Sequence, residues 1–201
     1  MGGKIISYAD DIVIAISGKH LPTLCDLQQR SLNRLSLWCK SRGLEVNPEK
    51  TDLILFSRKH KTPALKHIFL GGKPLRVIER AKYLGLVLDR KLNWGLTVAD
   101  RVRKSMMALY SCGRLIGKRW GLEPRMIHWL YTAVVRPILY YGIVIWWNAL
   151  EKGVNIKKLD KVQRLASVLI TGAMSTTPSK ALYATLNFLP VNLKAKYIAR
   201  S

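Results

Sequence analysis

The sequence predicts an α+β fold, in which antiparallel strands with one packed helix precede a mostly helical region. Two patterns predict this division. Before about residue 90, short runs of β-branched and aromatic residues alternate with turn signals around a single long amphipathic segment. After residue 90, apolar residues recur at helical spacing and prolines precede several segments. We therefore predict two domains, residues 1–90 and residues 91–201.

The first region carries the signals of hairpins, a helix and strands. Apolar runs at 5–6 and 12–16 flank a short polar break, which is typical of a β-hairpin. Helical spacing, with Pro22 near the start and Gly43 just past the end, predicts a helix over 21–42. The further predicted strands are 52–56, 82–89 and the pair 68–70 and 75–78, which flank a turn at 71–74.

The second region is predicted as a series of helices. The first spans 97–116, and the second begins at Pro124 and ends at or before Pro137, because proline lacks the amide hydrogen that a continuing helix needs. Two more are predicted at 156–171 and 179–186. The longest apolar run, residues 137–147, is too short to span a bilayer and is predicted as buried core.

The charge balance indicates a polyanionic partner. The 201 residues include 34 Lys and Arg against 12 Asp and Glu, a net charge of +22. The apolar fraction of 49% is too high for a disordered chain. A folded protein this basic most often binds nucleic acid, while an anionic membrane surface and a ribosomal context stay open. No membrane partner is predicted, and the sequence makes no prediction of the oligomeric state.

The cysteines and the N-terminus bear on the compartment. Cys25, Cys39 and Cys112 lack the spacing of metal ligands, so we expect reduced thiols in the core of an intracellular protein. The N-terminus lacks the apolar stretch of a secretory signal peptide. We therefore expect the protein in the nucleus or the cytoplasm, not outside the cell.

The most informative motif is Tyr8-Ala9-Asp10-Asp11, in the break of the first predicted hairpin. Adjacent carboxylates repel each other and resist desolvation, so they need either a cation or open water. A divalent metal would supply the cation, and carboxylates that hold paired metals are typical of polymerases. An exposed Asp-Asp turn without a metal is the alternative.

Four motifs in order carry a family resemblance. After residues 8–11 come residues 43–51, with Gly-Leu, then Asn, then Lys-Thr at their core. Residues 83–89 follow, and then Tyr140-Tyr141-Gly142 with Trp146 and residues 159–164. Together they resemble the C-terminal half of the reverse transcriptase of non-long-terminal-repeat retrotransposons, especially the jockey-like elements of insects.

The resemblance implies a fold and an activity. Residues 1–90 would be the C-terminal part of a polymerase palm, including its primer-grip strands, and residues 91–201 a helical thumb and connector. The intact enzyme would be an RNA-directed DNA polymerase that extends a DNA primer on an RNA template with deoxynucleoside triphosphates. Its catalysis would use two Mg²⁺ ions.

The resemblance also assigns roles to residues near the reaction. Asp10 and Asp11 would be the catalytic metal ligands. Lys50 would be the general acid that protonates the departing pyrophosphate, or simply a solvated lysine. Tyr8 would flank the primer end or the nucleotide, or pack on the sheet. Asn47 is expected to make a side-chain-to-backbone turn contact.

Primer and template contacts are expected later in the chain. Tyr83, Leu84 and Gly85 match the strand that grips the primer, and a glycine inside a strand marks a bulge or a close approach of two backbones. Arg101 and Lys104 lie on a predicted basic helix that would contact the phosphates of the duplex, although an ordinary solvated face is the alternative. The same cluster contains Arg103, Arg114, Lys118 and Arg119.

The family pattern has parts that this sequence does not contain. A further aspartate and the fingers precede the Tyr-Ala-Asp-Asp turn in the family, and only seven residues precede Tyr8 here. We therefore expect a fragment that has no polymerase activity by itself. The alternative is a non-catalytic, nucleic-acid-binding remnant of a truncated element.

Overall fold

A computed structural model describes residues 2–59, 65–113 and 123–200. The chain divides into two compact units, Met1–Ala81 and Lys82–Ser201. The first unit combines short strands with one helix, and the second is mostly helical. The predicted α+β fold class is thereby confirmed.

The first unit begins with the predicted hairpin. Strand β1 (Gly2–Tyr8) pairs antiparallel with β2 (Asp11–Ser17), and Tyr8 lies opposite Asp11. Only Ala9 and Asp10 remain in the loop, and Ala9 has a φ of 52°. A positive φ in a two-residue loop is what matches the twist of the two strands, so this tight turn fixes the register of the hairpin.

Helix α1 (Leu21–Ser41) confirms the predicted helix. Its buried residues are Cys25, Leu32 and Cys39, each seven positions apart and therefore on one stripe of the helix. The helix contacts β2 and strand β4 (Phe69–Leu70), and its apolar stripe packs with Ile68 and neighbouring residues in a small core. Cys25 and Cys39 are free, buried thiols as predicted, whereas Cys112, also predicted in the core, is only partly buried.

The second predicted hairpin is present, but its turn is shorter than predicted. Strand β4 pairs with β5 (Lys73–Pro74) around Gly71 and Gly72, and the amide of Leu75 donates to the carbonyl of Ile68 at 2.8 Å, whereas the predicted turn is 71–74. Both glycines have positive φ, 58° and 78°, so the chain reverses within two residues, earlier than predicted. Strand β6 (Arg76–Ile78) instead pairs parallel with β3 (Asp52–Ile54).

The prediction of one strand over 82–89 is also wrong, because these residues belong to a hairpin of two strands. Strands β7 (Arg80–Tyr83) and β8 (Leu86–Asp89) pair around a turn at Leu84 and Gly85, whose φ values are 44° and 78°. Leu86 is buried in the core of the helical unit. The predicted domain boundary near residue 90 therefore lies inside the second unit, after β8.

The helical unit packs around one central helix. The elements of this unit after β8 are α2 (Gly95–Gly113), α3 (Pro124–Leu130), a π-helical turn (Tyr131–Val135), α4 (Arg136–Tyr140), α5 (Ile143–Trp146), a 3₁₀ turn (Trp147–Glu151), α6 (Gly153–Thr171), α7 (Ser179–Thr185) and α8 (Val191–Arg200). The central helix is α6, which contacts α2, α3, α7 and α8. The core contains Val98, Trp146 and Leu159, each without solvent exposure.

The predicted helix end at Pro137 is wrong. The chain continues as helix to Tyr140, and the π-helical turn precedes the proline. In that turn the amide of Arg136 donates to the carbonyl of Tyr131, five residues back. The wider turn accommodates the proline ring and its missing amide hydrogen, which a regular α-helix would not.

Of the last three helices, two were predicted correctly and one was missed. The helices predicted at 156–171 and 179–186 are confirmed as α6 and α7, and α6 begins three residues earlier than predicted. Helix α8 was missed because exposed Leu193 and Tyr197 obscure the spacing of buried Val191 and Ala195. The predicted end of α2 at residue 116 lies outside the described residues.

The apolar run 137–147 is only partly core. Leu139, Ile143 and Trp146 are buried as predicted, whereas Val144 and Ile145 are exposed. Among the described residues, no single helix is long and apolar enough to span a membrane. Two adjacent helical segments, Pro124–Tyr140 and Ile143–Glu151, are long and apolar enough only when they are taken together, and a bend of 48° separates them.

We expect Gly142→Ala to destabilise the protein by about 2–3 kcal/mol. Gly142 has a φ of 67°, and an added Cβ would lie 3.0 Å from Cδ1 of Leu86. Gly172→Ala is the matched control, because Gly172 has a φ of 65° with nothing within 4 Å; we expect about 1 kcal/mol there. Urea unfolding measures both, and equal losses would contradict the packing argument.

Candidate functional site

The Asp10 and Asp11 carboxylates lie at the tip of the β1–β2 hairpin. Asp10 occupies the second loop position, and Asp11 is the first residue of β2. Both are exposed, and neither side chain forms a hydrogen bond or an ion pair with another described residue. Because both groups stay in water, the hairpin does not need a metal to fold. Both carboxylates are free to bind one.

The donor chemistry at this tip suits Mg²⁺. That ion usually takes one or two carboxylates and completes its octahedron with waters and substrate phosphates. Asp10 and Asp11 match such a partial set. Within the described ranges, no group of three or more His, Cys, Asp or Glu residues could hold a metal ion. These two carboxylates would therefore need further ligands from solvent, from a bound phosphate or from another protein segment.

Lys50 and Tyr8 are both accessible. Tyr8, the last residue of β1, is 65% exposed. Lys50 ends the 3₁₀ turn Pro48–Lys50, and its exposed side chain forms no hydrogen bond or ion pair with a described residue. The predicted contact of Asn47 is confirmed, since its Oδ1 accepts from the amide of Glu49 at 2.8 Å. This contact holds the turn that carries Lys50.

The turn between β7 and β8 is held by two side chains. The hydroxyl of Tyr141 donates to the carbonyl of Leu84 at 3.1 Å, and the guanidinium of Arg101 donates to the carbonyl of Gly85. Arg101 also lies over the ring of Tyr141, 4.8 Å from its centroid. Sequence reasoning noted Tyr141 only as part of a motif and missed this role, because residues 84 and 141 are distant in the chain.

The three predicted primer-grip residues differ in exposure. The side chain of Leu84 is 40% exposed, whereas the hydroxyl of Tyr83 is buried and has no hydrogen-bond partner among the described residues. Gly85 lies in the turn with a positive φ, so its predicted position inside a strand is wrong. Of the two side chains, that of Leu84 is therefore the more exposed.

Arg101 lies inside the helical unit instead of on a solvated face. Its side chain is 7% exposed, and Thr97, one helical turn earlier on α2, is fully buried. The Thr97 hydroxyl donates to the carbonyl of Val87 at 2.7 Å and lies 3.2 Å from its amide nitrogen. One face of α2 thus holds β8 and the turn. Phosphate contact by Arg101 stays a prediction that its burial does not favour.

Lys104 is already paired with a carboxylate. Asp100 lies 2.7 Å from Nζ of Lys104, 3.0 Å from Arg103 and 3.4 Å from Arg101. Burial raises the pKa of Asp100, but the hydrogen bonds from Lys104 and Arg103 and the charges of Lys104 and Arg101 together lower that pKa below its ordinary value. The remaining cations of the predicted basic helix, Arg114, Lys118 and Arg119, lie outside the described residues.

The first part of the chain is similar to a known protein family. Residues 2–88 match the family described as "Reverse transcriptase (RNA-dependent DNA polymerase)". This segment includes the Asp10–Asp11 hairpin, the turn that carries Lys50 and most of the β7–β8 hairpin. No solved structure matches the chain significantly.

Relatives from insect mobile elements extend the similarity to the helical unit. The chain is 30% identical over 183 residues to the "Probable RNA-directed DNA polymerase from transposon BS" of Drosophila melanogaster, an alignment that covers 91% of this chain. It is 26% identical to the corresponding protein from transposon X-element and 24% to the "RNA-directed DNA polymerase from mobile element jockey" of the same fly, over 93% and 82% of this chain.

These relatives are much longer proteins. The chain spans 20%, 20% and 18% of their lengths, or about a fifth in each case. The predicted resemblance is thereby confirmed in its coarser form: the chain is similar to RNA-directed DNA polymerases of insect mobile elements.

We expect Asp100→Asn to destabilise the protein by about 1–3 kcal/mol near neutral pH, because it removes charged hydrogen bonds from a mostly buried site. Since folding lowers the pKa of Asp100, its contribution is complete above the unfolded value of 3.8 and is lost as the pH falls through the folded value. The difference from wild type should therefore shrink below about pH 4.

Urea unfolding over a pH series measures this difference. Asp52→Asn is the control, because the pair of Asp52 with Arg76 is more exposed and its loss should cost little at any pH. A deficit in Asp100→Asn that stays constant down to the acid limit would contradict the ionic role of Asp100.

Proposed function

We propose that this chain is part of the reverse transcriptase of a non-long-terminal-repeat retrotransposon. Residues 1–90 would form the C-terminal part of the palm with the primer-grip turn, and residues 91–201 the thumb and connector. One observation carries the proposal. Two carboxylates with no partner among the described residues occupy the tip of a tight hairpin, within the segment that matches the reverse transcriptase family.

Asp10 and Asp11 would hold Mg²⁺ in the intact polymerase. When bound, two such ions would lower the pKa of the primer 3′-hydroxyl and neutralise the departing pyrophosphate. The chain supplies the position of the ligands. Asp11 is fixed by its pairing with Tyr8 across the hairpin, while Asp10 projects from a loop whose backbone is set by the positive φ of Ala9. A short, rigid turn of this kind presents both carboxylates with little loss of entropy on binding.

Lys50 would act as the general acid toward the leaving pyrophosphate. Its ammonium is exposed and unpaired among the described residues, so a proton is available for transfer. The contact of Asn47 holds the backbone of that turn. Tyr8, exposed at the end of β1, would lie beside the primer end or the nucleotide.

The β7–β8 turn would position the primer. Arg101 and Tyr141 each hold one carbonyl of this turn, which leaves Leu84 exposed on a fixed backbone. The net charge of +22 favours binding of an RNA template with its DNA primer. Deoxynucleoside triphosphates would be the second substrate. The remaining ligands and the fingers would come from the rest of a longer polymerase, since the chain spans about a fifth of the relatives reported above.

Primer extension tests this proposal. In a polymerase that joins this segment to the open reading frame upstream of Met1, Asp10→Asn should lower extension on an RNA template by at least about 100-fold, because it removes a metal ligand. Asp26→Asn, at an exposed pair with Lys66, should leave extension unchanged. The 201-residue chain by itself should not extend a primer. Full activity of Asp10→Asn would contradict the proposed site.

The alternative function, a non-catalytic nucleic-acid-binding remnant, is favoured by the charge alone. Binding of this kind would not need the two carboxylates. If the chain neutralises about six phosphates of single-stranded RNA, the logarithm of its binding constant should fall with the logarithm of salt concentration at a slope of about −4.

The Asp10→Ala/Asp11→Ala variant decides what the carboxylates add. As a remnant, the chain should bind equally well with and without them, and the upstream frame should be interrupted. A slope near zero would contradict nucleic-acid binding in either form.

A further inference from the structure

We infer that the helical unit carries a second, sequence-independent nucleic-acid contact on the outer face of α6 and the start of α7. We call it the α6–α7 basic surface and define it by Lys157, Lys161 and Lys180. It lies far along the chain from the carboxylate hairpin and from the β7–β8 turn. Lys161 falls within the last motif of the resemblance, residues 159–164, but no role was assigned there to any of the three lysines. The choice of nucleic acid as partner rests on the proposed function.

The two lysines of α6 lie on its solvent-exposed side. Lys157 and Lys161 are four residues apart, so they lie one above the other on the helix, and both are exposed. The opposite side faces the core of the helical unit. The buried residues of that side are Asn155, Leu159, Val162, Gln163, Ala166, Ser167 and Ile170.

The start of α7, which carries Lys180, is held against α6 by side-chain contacts. Arg164, one turn beyond Lys161 on the same side of α6, lies with Nη1 2.6 Å from the hydroxyl of Ser179 and donates to the carbonyl of Ser175 at 2.5 Å. The hydroxyl of Tyr183 donates to Asp160 at 2.8 Å. These contacts fix the start of α7 against α6, and Lys180, next to Ser179, is exposed there.

Positive charge exceeds negative charge around this surface. Among the described residues, none of the three lysines forms an ion pair, and residues 151–200 contain nine Lys and Arg against only Glu151 and Asp160, or 9 − 2 = +7. Asp160, on the same helix, accepts a hydrogen bond from the hydroxyl of Tyr183 and offsets only part of this charge. Like charges four residues apart destabilise a helix, so Lys157 and Lys161 do not contribute to folding through their charges. A bound polyanion would relieve that repulsion.

The side chains present favour contact with phosphates over reading of bases. Lysine binds phosphate as a flexible point charge, whereas specific recognition of guanine commonly uses the two-pronged guanidinium of arginine. The arginine of this face, Arg164, is occupied by Ser175 and Ser179. We therefore infer a backbone contact with the RNA–DNA hybrid that positions the duplex without reading its sequence.

The test compares two double variants of the 201-residue chain on an RNA–DNA hybrid. Lys157→Gln/Lys161→Gln should bind several-fold more weakly at low salt, and equally so for hybrids of different sequence. Its slope of log K against log salt should be shallower by about 1.5, since each lost phosphate contact removes about 0.7–0.9. Glutamine has nearly the helix propensity of lysine, so α6 should remain folded, as circular dichroism can verify.

Lys66→Gln/Lys73→Gln is the matched control. It removes the same charge, but these ammonium groups are already paired with Asp26 and Glu49. Its slope should change much less. Equal changes in the two double variants would overturn the inference in favour of diffuse attraction by net charge.

The remaining outcomes separate this inference from the proposed function. A parent chain that binds no hybrid would contradict the proposed template–primer contact and the inference together. A parent chain that binds, with Lys157→Gln/Lys161→Gln unchanged, would overturn the inference alone. The inference alone would also be overturned if Lys157→Gln/Lys161→Gln lost binding to phosphatidylserine vesicles but still bound the hybrid. The surface would then bind an anionic membrane instead of nucleic acid.

Discussion

The buried guanidinium of Arg101 is the contact on which the β7–β8 hairpin depends. Two strands of four residues gain little stability by themselves. Arg101 binds the carbonyl of Gly85, stacks on Tyr141 and lies beside Asp100, while Tyr141 binds the carbonyl of Leu84. A buried charge is tolerated only when it is paired and hydrogen-bonded. The Nη2 of Arg101 meets that condition, whereas its Nε is buried with no hydrogen-bond partner among the described residues. The turn is therefore stabilised by the helical unit, although residues 82–89 read as a strand in the sequence.

The cations of the chain differ in what they do. Some stabilise the fold: Arg101 is buried, Lys104 and Arg103 pair with Asp100, and Arg164 joins α6 to α7. Others, such as Lys157 and Lys161, are exposed without a partner among the described residues and raise the repulsion within their helix. A net charge of +22 alone does not separate these groups. Only the contacts show which cations remain available to phosphates.

Local signals predicted much of the fold and part of the site. The Tyr-Ala-Asp-Asp hairpin, α1, α6 and α7 follow from periodicity and from turn or start residues, and the turn contact of Asn47 follows from its side-chain chemistry. The failures involve partners distant in the chain. No periodic pattern in the sequence indicates the parallel pairing of β3 with β6, the hydrogen bond from Tyr141 to residue 84 or the burial of Arg101. The π-helical turn before Pro137 was missed because proline ordinarily signals the end of a helix.

The exposed edges of the two-stranded sheets make self-association of this protein sensitive to salt. In the described ranges every sheet has only two strands, and the β1–β2 hairpin exposes Ile5 and Ile6 beside unpaired backbone groups. Such an edge can accept a strand from a neighbouring molecule. Mutual repulsion of highly positive chains opposes that encounter, but screening shortens its range to about 10 Å at about 0.1 M salt. The ionic strength that would release nucleic acid from the proposed basic surface would therefore also let the hairpins of separate molecules approach. Dispersal in solution would then depend on the same charge that is proposed to bind phosphate.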